Sequence, residues 1–392
     1  MMYLDVTGGC TLPLQSGIPR TTREIHRLAR ERLREMMPIR WQPFRRAYTR
    51  LSSRATALLE NRPPGHSRDR RVPRDTTGPM LRAAFCDLAS WPAAVPLNRT
   101  LRAVDTLLLT SLFPDNRIGY LEKLLAAPGR KIALFHDAIP LRDPNVPAWE
   151  KKIHLRALRL LARFDLVIAV SDAARDDLLA LTAENDLPAP RTSVIRWPVP
   201  FHTARPAFTP PPMKSKNVLY VSRLKQVKNH ASLLAACDAL WREGRDFSLT
   251  LIGCEDEPRE SDAVKQAIKQ LLIDGRKIVW HAQVSEEELH AAYRNASFTV
   301  FPSRREGFGL PILESFWHGR GVICSRADAM GEVSRGPGAI QVDVEKPTEI
   351  AAAMRSLLDD DGACLALAQE AHARPLRSWD DYWRELEPCL AA

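Results

Sequence analysis

Six prolines fall within Trp197–Pro212: Pro198, Pro200, Pro206, Pro210, Pro211 and Pro212. Proline lacks an amide proton and has a fixed φ, so neither a helix nor a central strand can run through such a stretch. The chain is cut in two there, and the same pattern occupies both sides. Before the cut, Tyr3–Thr7, Val104–Thr110, Lys131–His136 and Asp165–Val170 read as strands. Trp149–Arg163 reads as a helix, and Ser171 caps another through Asp172–Leu181. After the cut, strands are expected at Asn217–Val221, Phe247–Ile252, Lys277–Trp280, Phe298–Phe301 and Gly321–Cys324. Helices are expected at Asn229–Trp241, Asp262–Leu272, Leu310–His318 and Pro347–Leu358, and one more follows a Ser285–Glu288 capping box. Trp379–Leu390 is a last amphipathic helix. Strand–helix alternation predicts α/β architecture: two doubly wound, Rossmann-like parallel-sheet domains facing a cleft, with ligands at the carboxyl ends of the strands.

Composition narrows the class. The 392 residues are 45% hydrophobic, a globular mixture large enough for two cores. No apolar run reaches the roughly 20 residues of a membrane span. Met1–Thr11 has no basic stretch followed by a long apolar one, so no signal peptide is read and a cytoplasmic location is expected. The seven cysteines are scattered without a CxxC pair. Reduced thiols are expected, and no metal site.

Four segments carry chemistry. In Phe301-Pro-Ser-Arg-Arg-Glu-Gly-Phe-Gly-Leu-Pro-Ile-Leu-Glu314 a strand runs into a two-glycine loop and then a helix from about Leu310. Gly307 and Gly309 let backbone approach a ligand, and a helix N-terminus offers amide protons and positive potential to a diphosphate. Glu306 can accept hydrogen bonds from sugar hydroxyls, and Glu314, a turn into the helix, can hold a ribose. Two solvated glutamates in a tight turn would produce the same spacing. In Val221-Ser-Arg-Leu-Lys-Gln-Val-Lys-Asn229, Arg223 and Lys228 can converge on one anion across a loop, where they would stabilise a departing diphosphate. His136 ends a strand and could bond donor or acceptor, although a lone histidine is more often structural. Gly8, Gly9 and Gly17 lie in Thr7–Pro19, small residues suited to a loop near donor or acceptor phosphate, without the G-x-G-x-x-G spacing.

Taken in order, these segments resemble the retaining GT-B glycosyltransferases of family four. The E-x7-E element reads Glu306 to Glu314. The strand-end Gly-Arg followed by Lys-Asn reads Ser222-Arg223 with Lys228-Asn229. Val284–Leu289 with Ala296, and Gly331-Glu332-Val333, match two further runs. His136-Asp137 with Ile139-Pro140, Val170–Leu178, and Asp5-Val6-Thr7 with Gly17-Ile18 and Arg20 are similar to members that build bacterial surface polysaccharides. The likeness covers Leu4–Arg20 and roughly Val104–Asp343. Ser222, Ala282 and Val344 depart from it, and Met36–Arg99 has no counterpart.

The resemblance implies an acceptor-side domain over residues 1–205, a donor-binding domain over 206–375, and a helix over 376–392 crossing back to the first. It implies a retaining, metal-independent hexosyltransferase with no cofactor. The sugar, mannose, rhamnose or similar, would pass from a nucleotide sugar to a glycan or lipid-linked glycan in surface-polysaccharide or O-antigen assembly. Glu306, His136, Arg223 and Lys228 would be catalytic. Ser303, Glu306, Gly307, Phe308, Gly309, Leu310 and Glu314 would bind donor together with Arg223 and Lys228. Alternatives are a catalytically silent nucleotide-sugar-binding scaffold and another GT-B enzyme such as an epimerase.

The charge is uneven. Sixteen arginines against six acids between Arg20 and Asp75 make +10, while the whole chain is +9. With Leu28, Leu33, Met36, Met37, Trp41, Phe44, Tyr48 and Leu51 in the same stretch, it reads either as a solvated insertion or as a surface for anionic membrane at the inner face of the plasma membrane. No nucleic-acid motif accompanies it.

Overall fold

A computed structural model describes residues 1–11, 17–60, 93–111, 115–201, 203–255 and 258–391. They form two compact units, one from the described residues of 1–197 with 378–391, the other from those of 198–377.

In the first unit seven strands make one sheet, in the order β3-β2-β1-β4-β5-β6-β7. They are β1 (Met2–Asp5), β2 (Met36–Gln42), β3 (Ala47–Thr49), β4 (Thr106–Leu109), β5 (Arg130–Phe135), β6 (Leu166–Ala169) and β7 (Thr192–Val194). Every pairing is parallel except β2 with β3. β1, β4 and β6 are buried at every position, as sheets covered on both faces require. β2 carries Pro38 opposite Leu4. β3 pairs only with Arg40–Gln42, so Pro38 sits on the half of β2 with no neighbour on that side, where a missing donor is tolerated. The hairpin is fastened by Trp41 and Tyr48, opposite each other with ring centroids 5.2 Å apart.

This corrects the amphipathic reading of the arginine-rich stretch in part: Phe44 is 73% exposed and Leu33, Met36, Met37 and Leu51 are half-buried, but three of its apolar side chains are not at the surface. Leu28, Trp41 and Tyr48 are at most 1% exposed and belong to the core of the unit. Gly17–Arg32 is a helix with Ile25, Leu28 and Ala29 inward. Residues 61–75 of that stretch lie outside the described residues.

The helix Trp379–Ala391 belongs to this first unit. Trp379, Tyr382, Trp383 and Leu386 are buried, Asp380 pairs with Arg32, and Arg130 donates to the Cys389 and Leu390 carbonyls at 3.1 and 3.3 Å.

The second unit is a six-stranded, all-parallel sheet in the order β10-β9-β8-β11-β12-β13. Its strands are β8 (Asn217–Val221), β9 (Ser248–Ile252), β10 (Ile278–His281), β11 (Phe298–Phe301), β12 (Val322–Ser325) and β13 (Ala339–Val342). The two expected caps form: Ser171 Oγ accepts from Ala174 N–H, and Ser285 with Glu288 makes a reciprocal capping box. The proline-rich segment is neither helix nor strand among its described residues. Arg205 donates to the carbonyls of Trp317, Phe316, Ala371 and Arg374, which pins that segment to the second unit.

Candidate donor site

In the second unit the chain steps outward from β8 through β9 to β10, and from β11 through β12 to β13. The direction reverses between β8 and β11, and loops leaving the carboxyl ends at such a point diverge and leave a crevice. The loop after β8 carries Arg223 and Lys228. The loop after β11 carries Ser303 to Gly309.

The structure brings Lys228 and Glu306 together: Nζ lies 2.6 Å from Oε1, with side chains only 18% and 13% exposed. The loops are also tied by backbone, since Arg304 N–H donates to the Val227 carbonyl at 2.8 Å. Tyr220 Oη donates to the Lys228 carbonyl at 2.5 Å; burial pushes this phenol well above its usual range, so it keeps its proton. Asn229, left-handed at φ 57°, opens the helix His230–Arg242. Its Nδ2 donates to the Val344 carbonyl at 2.8 Å, and its Oδ1 accepts from Ser232. Gly309, at φ 99°, opens the helix Leu310–Trp317, with Pro311 in its first turn. That φ is reached cheaply only by glycine.

Of the remaining expected donor residues, Ser303 and Phe308 are buried and Arg223, Gly307 and Leu310 half-buried. Glu314 is 7% exposed and accepts from Tyr293 Oη at 2.8 Å. Tyr220, Asn229 and Tyr293 escaped the sequence reading; Asn229 was visible only as the neighbour of Lys228. Gly253 follows the strand β9 at φ 157°. A Cβ there would lie 1.8 Å from the Ser222 carbonyl oxygen, so the loop bearing Arg223 rests directly on its backbone. Gly253→Ala is expected to displace that loop, costing about 1–3 kcal/mol of stability, measured as a shifted urea midpoint.

His136 and the glycines Gly8, Gly9 and Gly17 lie in the first unit. His136 follows β5, is 8% exposed, and its Nε2–H donates to the Thr110 carbonyl at 2.8 Å. The ring lies 5.3 Å from that of Trp197. Burial lowers its pKa to about 4, so at neutral pH the imidazole is uncharged. The expected glycine loop is not a loop where described: Thr7–Thr11 is a short helix. A Cβ on Gly9 would meet Leu59 and Thr22 at 3.0 Å, so its smallness serves packing. Gly8 is buried in the same turn, and Gly17 is the first residue of the next helix; residues 12–16 lie outside the described residues.

His136, His230 and His318 are all held neutral by burial, with pKa values lowered to about 4, 3 and 3. Above pH 6.5 neither folded nor unfolded chain protonates them. Below 6.5 the unfolded chain gains protons that the folded one refuses, so stability falls until the folded pKa is reached. Each is expected to cost about 2 kcal/mol between pH 6.5 and 5, seen as a falling denaturation midpoint that a neutral replacement of His230 flattens.

Beneath β1 in the first unit, Asp5 accepts from Thr7 N–H at 2.9 Å, Tyr48 Oη at 2.9 Å and Arg117 Nη1 at 3.0 Å. Asp5 and Arg117 are each 1% exposed. Among the described residues no group of three or more His, Cys, Asp or Glu could hold a metal ion.

Residues 203–374 match the family model "Glycosyl transferases group 1". The serotype-specific mannosyltransferase WbdA of Escherichia coli is 26% identical over 287 residues, 69% of this chain and 34% of that protein. The chain therefore spans about a third of that relative's length. Among solved structures, sucrose-phosphate synthase of Thermosynechococcus elongatus aligns over 99% of this chain and 97% of its own, with TM-score 0.67 and 15% identity. Anabaena HepE, solved in complex with UDP, aligns over 100% and 99%, with TM-score 0.60 and 15% identity. The fold is that of the GT-B class.

Proposed function

We propose that the chain is a glycosyltransferase that holds a nucleotide-activated sugar on the β8 and β11 loops of its second unit. The Lys228–Glu306 pair at the sheet's reversal carries this reading. Departure of a nucleoside diphosphate builds negative charge, and the groups fixed there are of the right sign: Lys228, Arg223 and the amide protons opening the helix at Leu310. Glu306 has a dual part, steadying the ammonium and accepting hydrogen bonds from the sugar hydroxyls. His136, neutral in the working pH range, is a hydrogen-bonding group rather than a proton carrier. The match over residues 203–374 supports the same chemistry, and the UDP held by HepE supports a nucleoside diphosphate as its handle.

The finer reading is a retaining hexosyl transfer, without a metal, from a mannose- or rhamnose-type donor to a glycan or lipid-linked acceptor of a bacterial surface polysaccharide. The likeness to a serotype-specific mannosyltransferase supports the sugar and the setting. Purified protein would be offered UDP-, GDP- and dTDP-sugars with EDTA present, and nucleotide release followed. Turnover of one donor with an α-configured product from an α-configured donor is expected. Donor binding without release under any acceptor tried, in wild type and Glu306→Ala alike, would favour a silent binding scaffold instead.

A further inference from the structure

We infer that the helix Ala148–Leu161 of the first unit is a docking face for an anionic lipid surface. Trp149, in its first turn, is 66% exposed, although an indole of this size is ordinarily covered. Lys152, Arg156, Arg159 and Arg163 follow at spacings of three and four and are all exposed; the last lies in the turn just beyond the helix. At 3.6 residues per turn these five side chains form one stripe along the helix. Ala157, Leu158 and Leu161, on the other side of the helix, are buried in the unit, as is Leu160 at the edge of the stripe. Arg156 is paired with Glu122 at 2.6 Å. Lys152, Arg159 and Arg163 enter no ion pair among the described residues. Lys123, exposed on the neighbouring helix Ile118–Leu124, adds a cation beside them.

A row of cations on long apolar stems, ending in an exposed indole, matches the edge of a bilayer: ammonium and guanidinium groups meet lipid phosphates while the indole enters the headgroup layer. A single-stranded nucleic acid is gripped by several aromatics set among cations, and this stripe has one. The arginine-rich stretch is a poorer candidate. Arg27 is paired with Glu24 and Glu31, Arg30 with Glu60 and Arg32 with Asp380; Leu28, Trp41 and Tyr48 are in the core, and Phe44, 73% exposed, lies in the turn after β2 rather than on a helix carrying a row of cations. The inference does not depend on the glycosyltransferase reading, because its test needs neither donor nor acceptor.

The full chain would be sedimented with phosphatidylcholine vesicles, with and without phosphatidylglycerol. Binding only to the anionic vesicles, weakening as salt rises, is expected. Lys152→Ala, Arg159→Ala and Arg163→Ala together should weaken it on the order of a hundredfold. The triple variant leaves the Arg156–Glu122 pair in place, and an unchanged melting curve would confirm its fold. Brominated lipid should quench part of the wild-type tryptophan emission, and Trp149→Phe should remove that part. Neutralising Arg30, Arg34, Arg45 and Arg46 should leave binding within a few-fold of wild type. Negligible vesicle binding by wild type would overturn the inference. So would equal binding by the triple variant, or loss confined to the Arg30–Arg46 variant. RNA retained by wild type and lost by the triple variant, without vesicle binding, would reassign the face to nucleic acid.

Discussion

Glu306→Gln is expected to lower kcat by about a hundredfold to a thousandfold while the nucleotide still binds. The substitution keeps size and removes only charge. Lys228, now held 2.6 Å from the carboxylate, would lose its partner and become more available to phosphate, so UDP or GDP affinity should hold or tighten. Lys228→Ala should act differently. It removes the cation from both bound donor and departing diphosphate, so KM rises and kcat falls together. Calorimetry with free nucleotide beside steady-state nucleotide release separates the two. A Glu306→Gln protein with unchanged kcat would end the assignment of Glu306 to the reaction.

Asp5→Ala is expected to destabilise the first unit by about 3–5 kcal/mol. The loss comes less from the ion pair itself than from what is left behind. Arg117, 1% exposed, would lose its buried partner and be left beside Asp115, which is 33% exposed. Tyr48 Oη would lose its acceptor inside the core, where burial keeps it protonated and therefore in need of one. Asp5→Asn, which can still accept, should cost markedly less. Urea denaturation monitored by tryptophan emission would measure both, and a change under about 1 kcal/mol for Asp5→Ala would show that the unit relaxes around the loss of the Asp5 carboxylate.

Much of the local structure around the proposed donor site was legible because its parts are local. A strand end, two glycines, a first-turn proline and a glutamate sit in one stretch from Phe301 to Glu314. The reversal of strand order that makes Lys228 and Glu306 neighbours is not local, yet it follows from the repeated alternation. The hairpin β2–β3 was missed because Pro38 and Arg40 argue against a strand in isolation. It exists because Trp41 and Tyr48 pack against each other and against Tyr120, with centroids 5.2, 5.4 and 5.7 Å apart. β7 is three residues long, too short for a periodicity. Asp5 and Arg117 are 112 positions apart, and no spacing rule joins them. The arginine-rich stretch was only partly legible for a related reason: composition gave its charge, but only the fold reveals that Arg27, Arg30 and Arg32 are answered by acids.

The helix Trp379–Ala391 also sets the order in which the protein can be finished. The chain leaves the first unit at Trp197, completes the second, and returns at Ser378. During synthesis the second unit therefore has all its strands before the first has its last helix. Until then the surfaces that receive Tyr382, Trp383 and Leu386 stand open to water, and an arrested ribosome holds a nascent chain whose first unit still lacks that helix. Removing a handful of residues near position 390 should thus injure the unit that begins at Met1, not the one nearer in sequence.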